Sequence, residues 1–234
     1  MPTTVSAIVF VPGLLCDARL WRDQRADLAD LATSTIAEVT LDETVEAMAR
    51  RLLAAAPPRF TLIALSMGGY VAFEVLRQAR ERVEALVLFD TTAAPDLPAR
   101  VRERTLALNS LAAGHFAGVT DRLLPRLVDA SHVDGPVGEE IMAMAARVGG
   151  DAFVRQQKAI LGRPDSRPLL PSLDMPVLVG VGDADALTPP PESIEMFRAL
   201  PRPTFHLFHR CGHLPAMEQP EETSAVLRSW LTKA

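Results

Sequence analysis

An α/β fold, with a mostly parallel central sheet, helices on both of its faces and one inserted helical segment, is what this sequence predicts. Three observations lead there. At both ends of the chain short apolar runs alternate with segments of helical periodicity, the pattern of βα units laid into a parallel sheet. The runs are apolar throughout rather than at every second residue, as strands covered on both faces are. In the middle the alternation stops, and from Ala93 to Leu170 only helical segments are legible.

Taken in order, "SAIVFVPG" reads as a buried strand closed by Pro12-Gly13. "DARLWRDQRADLADLA" follows as a helix opening near Asp17, with Leu20, Gln24, Leu28 and Leu31 on one face. "TSTIAEV" is a shorter strand, and "LDETVEAMARRLLAAA" a helix stopped by Pro57-Pro58, since the residue before a proline avoids helical geometry. "RFTLIAL" is a continuous apolar strand. "GGYVAFEVLRQAR" spaces Val71, Val75, Leu76 and Ala79 as a helix does, and "VEALVLFD" is the next strand. The middle offers "PARVRERTLALNSLAAG" and "GEEIMAMAARVGG"; in the second, Ile141, Met144, Ala145 and Val148 form a stripe that core packing explains. "MPVLVGVGD", "PESIEMFRAL", "PTFHLFH" and "PEETSAVLRSWL" then repeat strand, helix, strand, helix. The domain reading is therefore one core from 1–92 and 171–234, with residues 93–170 as a helical cap over the carboxyl edge of the sheet, where open α/β sheets bind ligands.

Composition narrows the function. The 234 residues are 48% hydrophobic and 23% charged, enough for one large domain with a sizeable core. A net charge of −5 leaves no electrostatic footprint for nucleic acid. Lys158 and Lys233 are the only lysines, so nearly all positive charge is arginine. No stretch approaches membrane-spanning length, and "MPTTVSAIVFVPG" lacks the basic start and long apolar run of a signal peptide. Cys16 and Cys211 are too few for a disulfide scaffold and read as free thiols. The expectation is a soluble cytoplasmic protein, monomer or homodimer.

Chemistry is concentrated at "ALSMGGY", Ala64 to Tyr70, where a serine and two glycines interrupt the apolar run between strand and helix. An ordinary helix-capping turn has this composition, and so does a nucleophile elbow, a strained turn that lifts a serine Oγ above the sheet. A serine becomes a useful nucleophile only beside a base that a third group orients. The elbow therefore calls for a histidine and a carboxylate downstream, each on a loop that follows a strand. "LVGVGDADALTPP" supplies Asp183 and Asp185, Asp90 ends "VEALVLFD", and "LFHRCGHLPAMEQP" supplies His213 in a tight turn beyond the last strand. The other histidines fit less well: His206 and His209 lie on or at the end of a strand, while His115 and His132 fall in the insertion. An oxyanion hole needs two backbone N–H donors, expected from Met67 after the serine and from Leu14 in the turn after the first strand. Cys16 has no activating partner in sequence and reads as a packing residue.

Over essentially its full length the chain resembles the α/β-hydrolase superfamily, in "VPGLL", "ALSMGGY", "GDADALTPP" and "CGHLPAMEQPE". The style is closest to its small bacterial esterases and enol-lactonases. That resemblance implies Ser66 as nucleophile, His213 as base and, because G-x-x-D runs from Gly182 to Asp185, Asp185 as acid. It implies hydrolysis of a carboxylic ester or lactone of an apolar small molecule through an acyl-serine, with neither metal nor organic cofactor. Carbon–carbon bond hydrolysis, perhydrolysis and non-catalytic ligand binding are the alternatives on the same fold. Three departures stand out. Pro12 replaces the histidine common before the oxyanion glycine, Ala64 replaces a glycine, and the D-x-x-G-x-G stretch after the second strand is missing.

Overall fold

The computed structural model describes residues 7–113, 116 and 118–233. Six strands, β1 (Ile8–Val11), β2 (Ser34–Ile36), β3 (Phe60–Leu65), β4 (Val83–Phe89), β5 (Val177–Gly182) and β6 (Pro203–Phe208), form one sheet in the order β2-β1-β3-β4-β5-β6. Every pairing is parallel. The continuous apolar runs become the inner strands, and β1, β3 and β5 are buried at every position. The edge strands β2 and β6 are mostly half-buried, as strands with one neighbour are.

Alternate residues feed two cores. Val9, Val11, Leu62, Ala64 and Val179 face one, where they meet α2 (Val45–Ala55), α3 (Met67–Ala79) and α6 (Pro190–Ala199). Ile8, Phe10, Ile63, Leu65, Phe89 and Leu178 face the other, against Trp21 and α8 (Pro220–Leu231). Ala64 is fully buried in the first core, so its methyl group is accommodated where a glycine is commoner.

Several boundaries differ from the sequence reading. The helix expected from Asp17 is a 3-10 turn, Ala18–Trp21, followed by a short α1, Arg22–Asp27. Asp17 caps the turn by accepting the Arg19 N–H at 2.8 Å, and Leu20, Gln24 and Leu28 are buried as their spacing requires. The second helix starts at Val45 rather than Leu41 because Thr44 caps it, accepting the Ala47 N–H at 3.2 Å. Between β4 and β5 lie α4 (Pro98–Ala112) and α5 (Pro136–Gly162), with no strand among the described residues. α5 is broken at Gly149, whose φ of 79° lies where side-chain-bearing residues are strained. Its first half joins the second core through Ile141, Met144 and Ala145, and its second half the first core through Ala159 and Ile160. His115 lies outside the described residues. Among those residues no helix is long and apolar enough to cross a membrane.

Candidate active site

From β1 the chain steps outward to β2 and returns on the other side as β3. The carboxyl ends of β1 and β3, paired at Val11 and Ala64, thus flank the switch point where a parallel sheet opens a crevice. Ser66 stands there. Its backbone, φ 56° and ψ −119°, is strained for a residue with a side chain, at a cost of order 1–3 kcal/mol that surrounding structure must offset. Ser66 N–H donates to the Phe89 carbonyl at 3.0 Å, and the Ser66 carbonyl accepts the Gly69 N–H at 2.9 Å and the Thr91 hydroxyl at 2.7 Å. The helix after it can start so close to the sheet only because Gly68 has no side chain; a Cβ there would overlap the Val11 carbonyl.

The loops that carry Asp185 and His213 leave the neighbouring strands β5 and β6. They are stitched together by N–H donors of Asp183 to the Phe208 carbonyl and of Ala184 to the Cys211 carbonyl, both at 2.9 Å. Asp185 and His213 meet at the end of this seam, 3% exposed each. His213 Nδ1 lies 2.8 Å from Asp185 Oδ2. The same carboxylate accepts the Leu187 N–H at 2.7 Å, the Thr188 N–H at 3.1 Å and the Thr188 hydroxyl at 2.7 Å. Burial alone would push the Asp185 carboxyl up, but the charge and hydrogen bond of His213 and the Thr188 and Leu187 donors outweigh it and hold its pKa at about 2. An ionised Asp185 accepts a proton-bearing Nδ1, which leaves Nε2 of a neutral His213 as an acceptor.

The other carboxylates are placed differently. Asp183 turns away, with Oδ2 at 3.2 Å from His209 Nδ1 and Oδ1 accepting the Cys211 N–H at 3.3 Å. Asp90 is buried behind the pair. Among the described residues, Asp90, Asp185 and His213 are the group whose donor atoms, all within 4.8 Å of one another, match a metal ion's reach. The bond that commits His213 Nδ1 to Asp185 explains the cluster without an ion. His206 pairs with Glu222 at 2.9 Å on the surface, and His132 ends a 3-10 turn.

A cavity of about 320 Å³ joins the parts, with Leu14, Ser66, Met67 and His213 on its wall. No hydrogen bond among the described residues takes the Leu14 or Met67 N–H. Ile141, Met144, Phe153 and Ile160 of α5 provide an apolar side, and Arg100, Glu103 and Arg104 of α4 a polar one. Arg104 is already occupied by Asp96 at 2.6 Å and Gln157 at 3.0 Å. Cys16 also lines the cavity, but burial pushes its thiol up to about 12, so it is an inert neutral group.

Two residues that sequence reasoning passed over hold the site in place. Gln156, fully buried on α5, accepts the Leu15 N–H at 3.1 Å and donates to the Val39 carbonyl at 3.3 Å. It fixes the turn after β1, where Leu15 is held at φ 59°. Glu218 at the end of α7 (Pro215–Glu218) accepts the N–H groups of Gly212 at 2.9 Å and Leu214 at 3.0 Å, the residues flanking His213, and of Asp129 at 2.7 Å. The His213 N–H donates to the Leu127 carbonyl at 2.7 Å. Glu218 was visible as part of "CGHLPAMEQPE", which also holds Gly212 and Leu214, but nothing in that stretch marks Asp129.

The family model for the alpha/beta hydrolase family matches residues 8–226. The chain belongs to this family. Among alpha/beta hydrolases it is 31% identical over 190 residues to a pimeloyl-[acyl-carrier protein] methyl ester esterase of Nitrosomonas europaea, an alignment covering 78% of this chain and 74% of that one. A thermophilic esterase from Thermogutta terrifontis, solved with malate bound, superposes with a TM-score of 0.88 at 31% identity, over 100% of this chain and 91% of its own. An enol-lactonase from Burkholderia xenovorans shares the alpha/beta hydrolase fold with a TM-score of 0.81 at 20% identity, covering 97% and 92% of the two chains.

Proposed function

We propose that this alpha/beta hydrolase is a serine esterase that cleaves a carboxylic ester or lactone of an apolar small molecule through an acyl-Ser66 intermediate. The single observation that supports it best is His213, on the cavity wall with Ser66 and bound through Nδ1 to a buried, ionised Asp185. In this reading Nε2 takes the Ser66 Oγ proton as Oγ attacks the ester carbonyl. The oxyanion gathers at the Leu14 and Met67 N–H groups, the latter at the positive end of α3. Collapse expels the alcohol, which takes the proton from His213. Water, deprotonated by His213, then attacks the acyl-serine, and the proton returns to Ser66 as the acid leaves. Asp185 holds the imidazole tautomer and stabilises its positive form throughout.

Residues 1–92 and 171–234 serve as the hydrolase core and 93–170 as a cap whose α5 side chains select the apolar part of the substrate. The preference for an ester is supported by the esterase relatives at 31% identity. We place the protein in the cytoplasm, acting without metal or organic cofactor. A serine-directed fluorophosphonate should label Ser66 stoichiometrically, and p-nitrophenyl esters of graded chain length alongside a lactone panel should be turned over. A protein that neither labels nor hydrolyses any of them is a ligand binder on the same fold.

A further inference from the structure

Asp90 is the buried group that the proposed mechanism leaves unused. It ends β4 with φ 46°, a strained backbone, and it is wholly shut off from solvent. Its Oδ1 accepts the Gly182 N–H at 2.9 Å. Its Oδ2 is buried and, among the described residues, has no hydrogen-bond partner. The carboxyl group lies against the acid–base pair, with one of its oxygens, one Asp185 oxygen and a His213 ring nitrogen all within 4.8 Å of one another.

Two carboxylates this close and this dry do not both ionise. Asp185 has three protein donors besides His213, from Leu187 and Thr188, whereas Asp90 has one from Gly182. The negative charge therefore settles on Asp185 and the proton on Asp90. Burial first, then the charge of Asp185, drives Asp90 well above the ordinary carboxyl range. A proton also resolves the orphan, since an acceptor with no donor becomes a donor in a group that lies against the Asp185 carboxylate.

We propose that Asp90 is a positioning residue, carried as a neutral carboxylic acid that donates a hydrogen bond to Asp185 on the side closed to water. It fixes the carboxylate that in turn orients His213. The positioning role rests on reading Ser66, Asp185 and His213 as the catalytic groups; the protonation state does not.

The test pairs a spectrum with kinetics on the intact chain. Infrared spectra at neutral pH should contain the carbonyl band of a protonated carboxylic acid, and Asp90→Asn should remove it. Asparagine keeps both roles, its oxygen accepting from Gly182 and its amide donating to Asp185, so kcat should stay within about tenfold of wild type. Asp90→Leu fills similar space without a donor and should lower kcat about a hundredfold with KM unchanged and the thermal transition still cooperative. Absence of the band, or a band that survives Asp90→Asn, overturns the proposal whatever the activities. So does an Asp90→Asn enzyme as inactive as Asp185→Asn, because Asp90 would then be the charged acid. Should Asp185→Asn keep wild-type kcat while the band is present, the catalytic reading fails and takes the positioning role with it, leaving the neutral Asp90 established.

Discussion

The two sides of the site are held by different means. On the serine side the backbone does most of the work: Gly68 lets α3 approach β1, and the Ser66 main chain is pinned to Phe89, Gly69 and the Thr91 hydroxyl. On the histidine side, buried side chains tie the loops together, Glu218 binding the N–H groups of Gly212 and Leu214 in its own loop and of Asp129 in another, and Asp185 binding His213. Backbone packing tolerates no substitution at the contact, whereas a side-chain network weakens one bond at a time. Damage should therefore be abrupt near Ser66 and graded around His213.

The largest expected effect sharpens the serine side. Ser66→Ala should lower kcat about a million-fold with an unchanged thermal transition, because Oγ takes no part in holding the turn. Near-normal ester hydrolysis by that variant removes Ser66 from the mechanism.

On the histidine side, Asp185→Asn should cost about ten-thousand-fold in kcat, since the amide favours the wrong tautomer, while Asp183→Asn stays within about tenfold. Stability follows a defined pH course. Asp185 is held at about 2 instead of 3.8, so its contribution is present above the unfolded value and is lost as pH falls through the folded one. The step from 3.8 to about 2 corresponds to roughly 2.5 kcal/mol. Melting temperatures of wild type and Asp185→Asn should converge between pH 4 and pH 2; a constant gap denies the depressed pKa.

Glu218→Gln tests the graded behaviour directly. The amide turns a donor toward at least one of the three N–H groups, so one charge-assisted bond is lost, worth about 1.5–3 kcal/mol. The thermal midpoint should drop by several degrees and kcat by about tenfold with KM little changed. A fall equal to that of Asp185→Asn would mean the histidine loop collapses as a unit.

The smallest effects belong to the cavity's apolar side. Phe153→Ala or Met144→Ala should shift the ranking of p-nitrophenyl esters toward longer acyl chains by a few-fold. An unaltered ranking in both variants removes α5 from substrate selection.

How much was legible in advance follows the same divide. The parallel sheet could be read because its inner strands are unbroken apolar runs, and Ser66 because an elbow is written in adjacent residues, "ALSMGGY". Among Asp90, Asp183 and Asp185, loop position and the G-x-x-D spacing favour Asp185, and the structure gives the three different partners, Gly182, His209 and His213. The kink at Gly149 hides in a Gly-Gly pair that reads as the end of a helix. Gln156 escaped notice because the turn it holds lies 141 residues earlier, and of the bonds made by Glu218 the one hidden from the sequence is that to Asp129, 89 residues away. Local chemistry is visible in a sequence, and long-range support is not.

The break in α5 also decides how molecules pass in and out. Because its two arms are rooted in hydrophobic cores on opposite faces of the sheet, the helix is a fixed beam that cannot rise without opening both. α4 has no buried residue and is tied down instead by polar bonds, of Arg104 to Asp96 and Gln157 and of Arg100 to the Leu187 carbonyl. Polar bonds exchange with water more readily than a hydrophobic core opens, so the residence time of a bound product should depend on how readily α4 gives way.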